Sequence, residues 1–319
     1  MIDPKAVDAV LAHFIPLIQA HRQSTSTPYV LGLSGLQGSG KSTWATALSA
    51  ALNSQHGLKT RILSLDDLYS DHAELVALRE ANPGNGLLQT RGQPGTHDEA
   101  LAREFFDQVL AANSSKSPES FIKWPAYDKS LHSGQGGRVP TEQWEKVPIN
   151  QGLDVLIFEG WCLGFQPLAE DQVRAKWEED KASSTTGKPQ SEESGLIQTL
   201  ASHSLDHLQL INDNLQRYCE SFAGPKFFDG FLHLSTDKLI HVYEWRLDQE
   251  KALRKHKPGM TDQQVIQFVR GYMPAYELFL DRLQQENFFK GVGEGSSTKK
   301  HVQIVLNRGR EVVEVKELE

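Results

Sequence analysis

Cysteine is scarce in this chain. Only Cys162 and Cys219 occur in 319 residues, too few for a disulfide framework and without the spacing of a zinc site. No apolar run approaches the roughly 18 residues of a membrane span. No basic run is long enough to form a nucleic-acid stripe. Lys plus Arg number 33 against 41 Asp plus Glu, a formal net charge of −8, so neither nucleic acid nor a membrane is expected as a partner. Internal repeats are missing, as is any linker long enough to separate independent folds. The N-terminal stretch carries Asp3 and apolar residues at helical spacing, which does not read as a signal or transit peptide. A reducing compartment is expected, the cytosol first and the nucleus second. Nothing in the sequence sets an oligomeric state; a monomer would suffice.

What is present is an alternation of strand and helix signals over most of the length, the pattern of an α/β protein with a largely parallel sheet. Strands are predicted at 29–35, 59–67, 154–160, 230–236 and 302–307, where apolar runs are rich in β-branched residues. Helical spacing covers 39–55, 97–112 and about 237–255. Two polar stretches without periodicity, 113–120 and 178–195, are expected to be poorly ordered insertions in a single domain spanning 1–319.

Between the first strand and the first long helix stands GLSGLQGSGKSTW (32–44). Gly35, Gly40, Lys41 and Ser42 match G-x-x-x-x-G-K-[ST], the phosphate-binding loop, in the strand–loop–helix context that its mechanism needs. Such a loop curls so that successive backbone amides face the β-phosphate, and the helix N-terminus adds its positive pole. The residues from Gly35 through Leu36, Gln37, Gly38, Ser39, Gly40, Lys41 and Ser42 to Thr43 are the candidate ATP site. Lys41 would reach the β- and γ-phosphates, and the Ser42 hydroxyl would ligate Mg²⁺.

Other motifs decide what is done with the phosphate. The guanine-reading N-K-x-D of GTPases and their D-x-x-G are not found. LHSGQGG (131–137) mimics the signature loop of transporter-type ATPases, but Pro140 and Pro148 oppose the uninterrupted helix that should follow it. The strand at 59–67 ends in Asp66 and Asp67, beside the phosphate loop in a parallel sheet. There a carboxylate can take the proton of an attacking hydroxyl, and one of the two could instead cap a helix. The strand at 154–160 ends in Glu159, suited to serve the metal; Asp154, about 16 Å away at 3.3 Å per residue, lies at the wrong end.

Six segments in order resemble the glycerate kinase family of P-loop kinases: LSLDDLY, RGQPGTHD, PAYDKS with a following G-x-G-x-R, FEGW, EWRLDQE and GMTDQQVIQFVRGYMPAYELF. The resemblance spans about residues 5–310 and is nearest to the fungal kinase-like branch. The family is similar in turn to uridine kinase, phosphoribulokinase and bacterial pantothenate kinase. It implies a doubly wound, mostly parallel sheet with a helical lid, an ATP- and Mg²⁺-dependent kinase, and a small-molecule hydroxyl acceptor, D-glycerate first. A nucleoside, pantothenate or a sugar phosphate is the alternative acceptor, and a nucleotide sensor with little transfer the alternative class. The resemblance makes Asp66 the base and Arg246 the lid arginine that closes over the moving phosphoryl. It places Asp67, Tyr69, Arg91, His97, Tyr127, Lys129 and Arg138 on the acceptor side. One departure is Gly137, where relatives carry Asp in G-x-G-D-R.

The residues themselves allow such a site. Arg91, His97, Lys129 and Arg138 lie in Gly- or Pro-bearing loops, and a substrate carboxylate would want such cations. His97 with Asp98 could instead cap the helix that follows. Trp161, Trp245 and the aromatics of GYMPAYELF are expected to be packing residues.

Overall fold

The computed structural model describes residues 2–114, 121–149, 152–185, 193–256, 258–291 and 298–319. In chain order the helices are α1 (Pro4–Ser24), α2 (Lys41–His56), α3 (His72–Ala81), α4 (Glu99–Ala111), α5 (Glu170–Thr185), α6 (Ser194–Ile197), α7 (Leu205–Tyr218), α8 (His241–Arg254), α9 (Asp262–Arg270) and α10 (Met273–Gln285). The strands are β1 (Tyr29–Gly35), β2 (Thr60–Ser64), β3 (Phe121–Trp124), β4 (Tyr127–Asp128), β5 (Gly137–Arg138), β6 (Glu145–Pro148), β7 (Val155–Glu159), β8 (Gly230–Thr236), β9 (Lys300–Leu306) and β10 (Val312–Leu318).

The main sheet runs β10-β9-β8-β1-β7-β2. Its pairs are parallel except β9 with β10. Every residue of β1, β7 and β8 is buried, so both faces of the central strands are covered, as uninterrupted apolar strands require. Phe158 of β7 packs on Phe106 of α4 and on Phe222 and Phe228. Gly32 leaves room for that aromatic layer, since a Cβ there would sit 2.6 Å from the Phe231 ring. From β1 the chain crosses to one side for β7 and β2 and to the other for β8 and β9. The crevice at the carboxyl ends of β1, β7 and β8 is therefore the switch point where doubly wound sheets bind ligands.

The strands at 29–35 and 230–236 lie where the sequence predicts them, and the other three within two or three residues. Three points differ. Asp66 and Asp67 sit on a single 3₁₀ turn, Leu65–Leu68, because the Ser64 hydroxyl accepts from the Asp66 amide at 3.3 Å and ends β2. β10 extends the sheet beyond the predicted strands as an antiparallel edge. The expected insertion at 178–195 is helical as far as Thr185 and again from Ser194: Asp180 is buried and accepts from the Ala201 amide at 2.7 Å, and the Trp177 indole donates to the His203 carbonyl. A few anchors thus order a helix that its polar composition hides. In the stretch 113–120, Asn113 is fixed by two bonds to the Leu153 backbone, 2.8 and 2.7 Å; 115–120, like 186–192, lie outside the described residues. No helix among the described residues is long and apolar enough to cross a membrane.

His233 on β8 and His301 on β9 are fully enclosed. Burial disfavours their charged forms, holding His233 well below the ordinary imidazole range and His301 at about 4. The Phe288 amide donates to His301 Nδ1 at 3.2 Å, which fixes the neutral ring. The unfolded chain, with imidazoles near pH 6.5, takes up these protons first. Stability is therefore complete above about pH 6.5 and falls with acid toward the folded values, by about 1.4 kcal/mol per pH unit for each group. The melting temperature is expected to drop steeply between pH 7 and pH 5; a flat profile in thermal melts would contradict the neutral pair.

Candidate active site

The phosphate loop leaves β1 at Gly35 and enters α2 at Lys41 through Gly40, whose φ of 95° is left-handed and which offers no side-chain cap. The first amides of α2 therefore stay open toward an anion. Gly38, with φ 78°, is pressed against α8: a Cβ there would lie 2.8 Å from Trp245 Cβ. The Leu36 side chain is buried and only its backbone faces the loop; Thr43 is exposed in the first turn of α2. The Gln37 amide donates to the Tyr276 hydroxyl at 3.2 Å, and the Ser39 amide to the Leu36 carbonyl at 3.2 Å.

Lys41 Nζ donates to the carbonyls of Gly35 at 2.9 Å and Leu36 at 3.1 Å. Burial lowers its ammonium, while the carboxylates of Glu159 and Asp66 pull it back toward the charged form. Ser42 Oγ donates to Glu159 Oε1 at 2.9 Å, and Glu159 is buried at the end of β7. A hydroxyl facing a carboxylate is an oxygen donor set that suits Mg²⁺, which usually keeps water and phosphate oxygens as its remaining ligands. Asp154, as expected, is at the far end of the strand, accepting from the Lys59 amide at 2.8 Å and pairing with Arg22.

Asp66 forms an ion pair with Lys129. Burial would raise its carboxyl, but the Lys129 ammonium, with a smaller contribution from the Tyr69 hydroxyl, holds it below the ordinary value. Asp67 differs: burial pushes it up to about 6, against a hydrogen bond from the Tyr127 amide at 3.4 Å. The pair therefore divides into an ionised carboxylate beside the loop and a carboxyl tied to the next strand.

The acceptor-side residues are brought together around this turn. Tyr69 stacks on His97 with ring centroids 4.3 Å apart and meets Tyr127 edge-on at 5.3 Å. Tyr127 pairs with Arg138 across β4 and β5, and Arg91 lies over the Tyr127 ring at 5.7 Å. Several of the expected ligands are already engaged. Arg138 pairs with Asp98 at 2.7 Å, and Asp98 caps α4 by accepting from the Leu101 amide at 2.9 Å. Arg91 donates to the carbonyls of Gly134 and Gln135. His97 is buried and neutral, burial lowering it to about 3, with Nδ1 on the Tyr218 hydroxyl at 2.9 Å. Of the four expected cations, Lys129 remains the most exposed. LHSGQGG forms the loop between β4 and β5, with no helix after it.

On α8, Arg246 pairs with Glu250 at 3.1 Å and lies over Phe268 of α9 at 5.2 Å. Glu250 is only 2% exposed and accepts from the Met260 amide at 2.7 Å. The Arg246–Glu250 spacing thus forms the seam between α8 and α9, and Arg254, paired with Asp262, stands at its exposed end.

Tyr272 and Tyr276 do more than pack. Tyr276 receives the Gln37 amide, and Tyr272 closes on Gly92, where a Cβ would fall 2.4 Å from its hydroxyl. Their spacing of four, one helical face, is the signal available in the sequence. Arg310, from the turn joining β9 to β10, also reaches the loop, donating to the Gly38 carbonyl at 2.9 Å; no motif announces it.

No protein-family model matches the chain. It is 35% identical over 283 residues to the uncharacterized kinase mug58 of Schizosaccharomyces pombe, covering 88% of this chain and 91% of that one. It is 35% identical over 261 residues to the chloroplastic D-glycerate 3-kinase of Arabidopsis thaliana, covering 81% of this chain and 49% of that enzyme. The solved structure of D-glycerate 3-kinase from Cryptococcus neoformans is similar with a TM-score of 0.81 at 31% identity, over 98% of this chain and 99% of that one.

Proposed function

We propose that this chain, which belongs to the glycerate kinase family of P-loop kinases, transfers the γ-phosphoryl of ATP to a hydroxyl of D-glycerate, giving 3-phosphoglycerate. The observation that carries this reading is the ion pair of Asp66 and Lys129 beside the phosphate loop. It sets one proton acceptor and one exposed cation where a small hydroxy acid would present an alcohol and a carboxylate.

In this reading the loop 36–42 holds the triphosphate through the open amides at the start of α2 and the Lys41 ammonium, the amides of Gln37 and Ser39 being taken by the Tyr276 hydroxyl and the Leu36 carbonyl. Ser42 and Glu159 would hold Mg²⁺, which when bound neutralises phosphate charge. Asp66 accepts the hydroxyl proton. Lys129 orients the acceptor's carboxylate, Tyr69 and Tyr127 wall the pocket, and Arg91, His97 and Arg138 keep that wall in place. Arg246 lowers the charge on the moving phosphoryl.

The test is turnover of ATP with magnesium against a panel of D-glycerate, a nucleoside, pantothenate and a sugar phosphate, with the product identified by mass. A D-glycerate-dependent signal at least about tenfold above the others is expected, since a site built to pair a polar substrate group rejects analogues that lack it. Preference for another acceptor would replace glycerate. Slow hydrolysis indifferent to every acceptor would replace transfer by sensing.

A further inference from the structure

The turn between β9 and β10 has no role in the reaction described above, yet it touches both the phosphate loop and the lid. Arg310 donates through Nε to the Gly38 carbonyl at 2.9 Å and through Nη2 to the Trp245 carbonyl at 3.1 Å. The same guanidinium lies 3.6 Å from Asp248. The Trp245 indole donates back to the Arg308 carbonyl at 2.7 Å. Arg310 itself holds φ at 64°, a left-handed conformation that costs a residue with a Cβ. The turn is braced by Asn307, which accepts from the Glu311 amide at 3.0 Å and donates to its carboxylate at 2.8 Å.

Two consequences follow from the geometry. In a trans peptide the carbonyl and the next amide point in opposite directions. Holding the Gly38 carbonyl on Arg310 therefore keeps the Ser39 N–H turned to the inside of the loop, where it donates to the Leu36 carbonyl at 3.2 Å and closes the curl, and Gly38 is the residue at which that peptide could otherwise flip most easily. The second carbonyl belongs to the residue just before Arg246, so the guanidinium of Arg310 fixes the first turns of α8 to the phosphate loop.

We propose that Arg310 is a positioning residue that locks the 38–39 peptide and the lid helix into one register, so that the curled phosphate loop and Arg246 meet the triphosphate as a unit. This rests on the assignment of Arg246 to the transferring phosphoryl.

Arg310→Gly is the informative variant, because it deletes the lock while relieving the left-handed backbone. Its melting temperature without nucleotide should stay the same or rise. Its Kd for ATP, by calorimetry, should weaken several-fold, and kcat should fall about tenfold or more, as small misplacements of a catalytic group do. The KM for D-glycerate should stay within about twofold. Arg310→Asn, which also tolerates that backbone, should reproduce the loss, and Arg310→Lys should restore some of it. Combined with Arg246→Ala, Arg310→Gly should add less than about twofold to the kcat loss, because the two act through one group. Full kcat in Arg310→Gly, additive losses in the double variant, or a kcat loss that merely tracks a lower melting temperature would overturn the proposal. If Arg246→Ala alone keeps full kcat, the role given to Arg246 falls instead, and the lock is then judged on ATP affinity: an unchanged Kd in Arg310→Gly overturns it.

Discussion

Lys41→Ala is expected to lower kcat by at least about 10²–10³, the scale of losing one charge stabiliser in a closed site, and to weaken ATP binding about tenfold or more. The reason lies in where the ammonium is kept. The residue is half-buried, desolvation lowers the ammonium while Glu159 and Asp66 favour its charged form, and its donors rest on the carbonyls of Gly35 and Leu36. Those donors are held by the loop's own backbone, so an arriving phosphate oxygen, which carries more charge than a carbonyl, is the better partner. Deleting the ammonium removes attraction for the ground state and for the transferring group together. Calorimetry with an ATP analogue and steady-state turnover read the two losses separately. Turnover within about threefold of the unaltered chain would remove Lys41 from the mechanism.

Asp66→Asn should divide those two readouts. The amide keeps the shape of the side chain and leaves the phosphate loop alone, so ATP affinity should stay within about twofold. Proton acceptance is gone, and kcat should fall by about 10²–10⁴. The pH profile adds a second discrimination. The carboxyl of Asp66 is held below the ordinary aspartate range by Lys129, whereas Asp67 is raised to about 6 by burial. If Asp66 is the base, the acidic limb of kcat/KM lies below the ordinary aspartate range and no limb appears near 6. A limb near pH 6 in brief assays that precede acid unfolding, together with full activity in Asp66→Asn and loss in Asp67→Asn, would transfer the role to Asp67.

Much of the fold is readable from the sequence because its central strands are buried on both faces. β1, β7 and β8 are mostly apolar and buried over their whole length, and the phosphate loop between β1 and α2 carries its own glycine punctuation. The edges are harder. β10 mixes apolar and charged residues without regular alternation over only seven positions, and among the described residues it pairs with β9 alone, so its placement comes from a neighbour and not from its own burial. The helix through Thr185 is polar nearly all round and is ordered by long-range bonds such as Asp180 to Ala201. Asp66 and Asp67 are legible as site residues, but not their division of labour, which depends on Lys129 and Tyr127 some sixty positions away. Tyr276 reads as packing because a hydroxyl's partner, here the Gln37 amide, leaves no local trace. Arg310 is invisible for the same reason: its carbonyl partners could be anywhere in the chain.

The ion pair of Lys129 with Asp66 also bears on when the site becomes reactive. Paired with Lys129, the carboxylate brings its own counterion, so in the proposed reaction a neutral alcohol would find its base already occupied. Lys129 sits on an exposed loop, and an incoming anion competes for it. A guest that lures the ammonium away bares the carboxylate at the moment its hydroxyl arrives, which makes admission and ignition a single event and leaves uncharged visitors facing a sheathed tool.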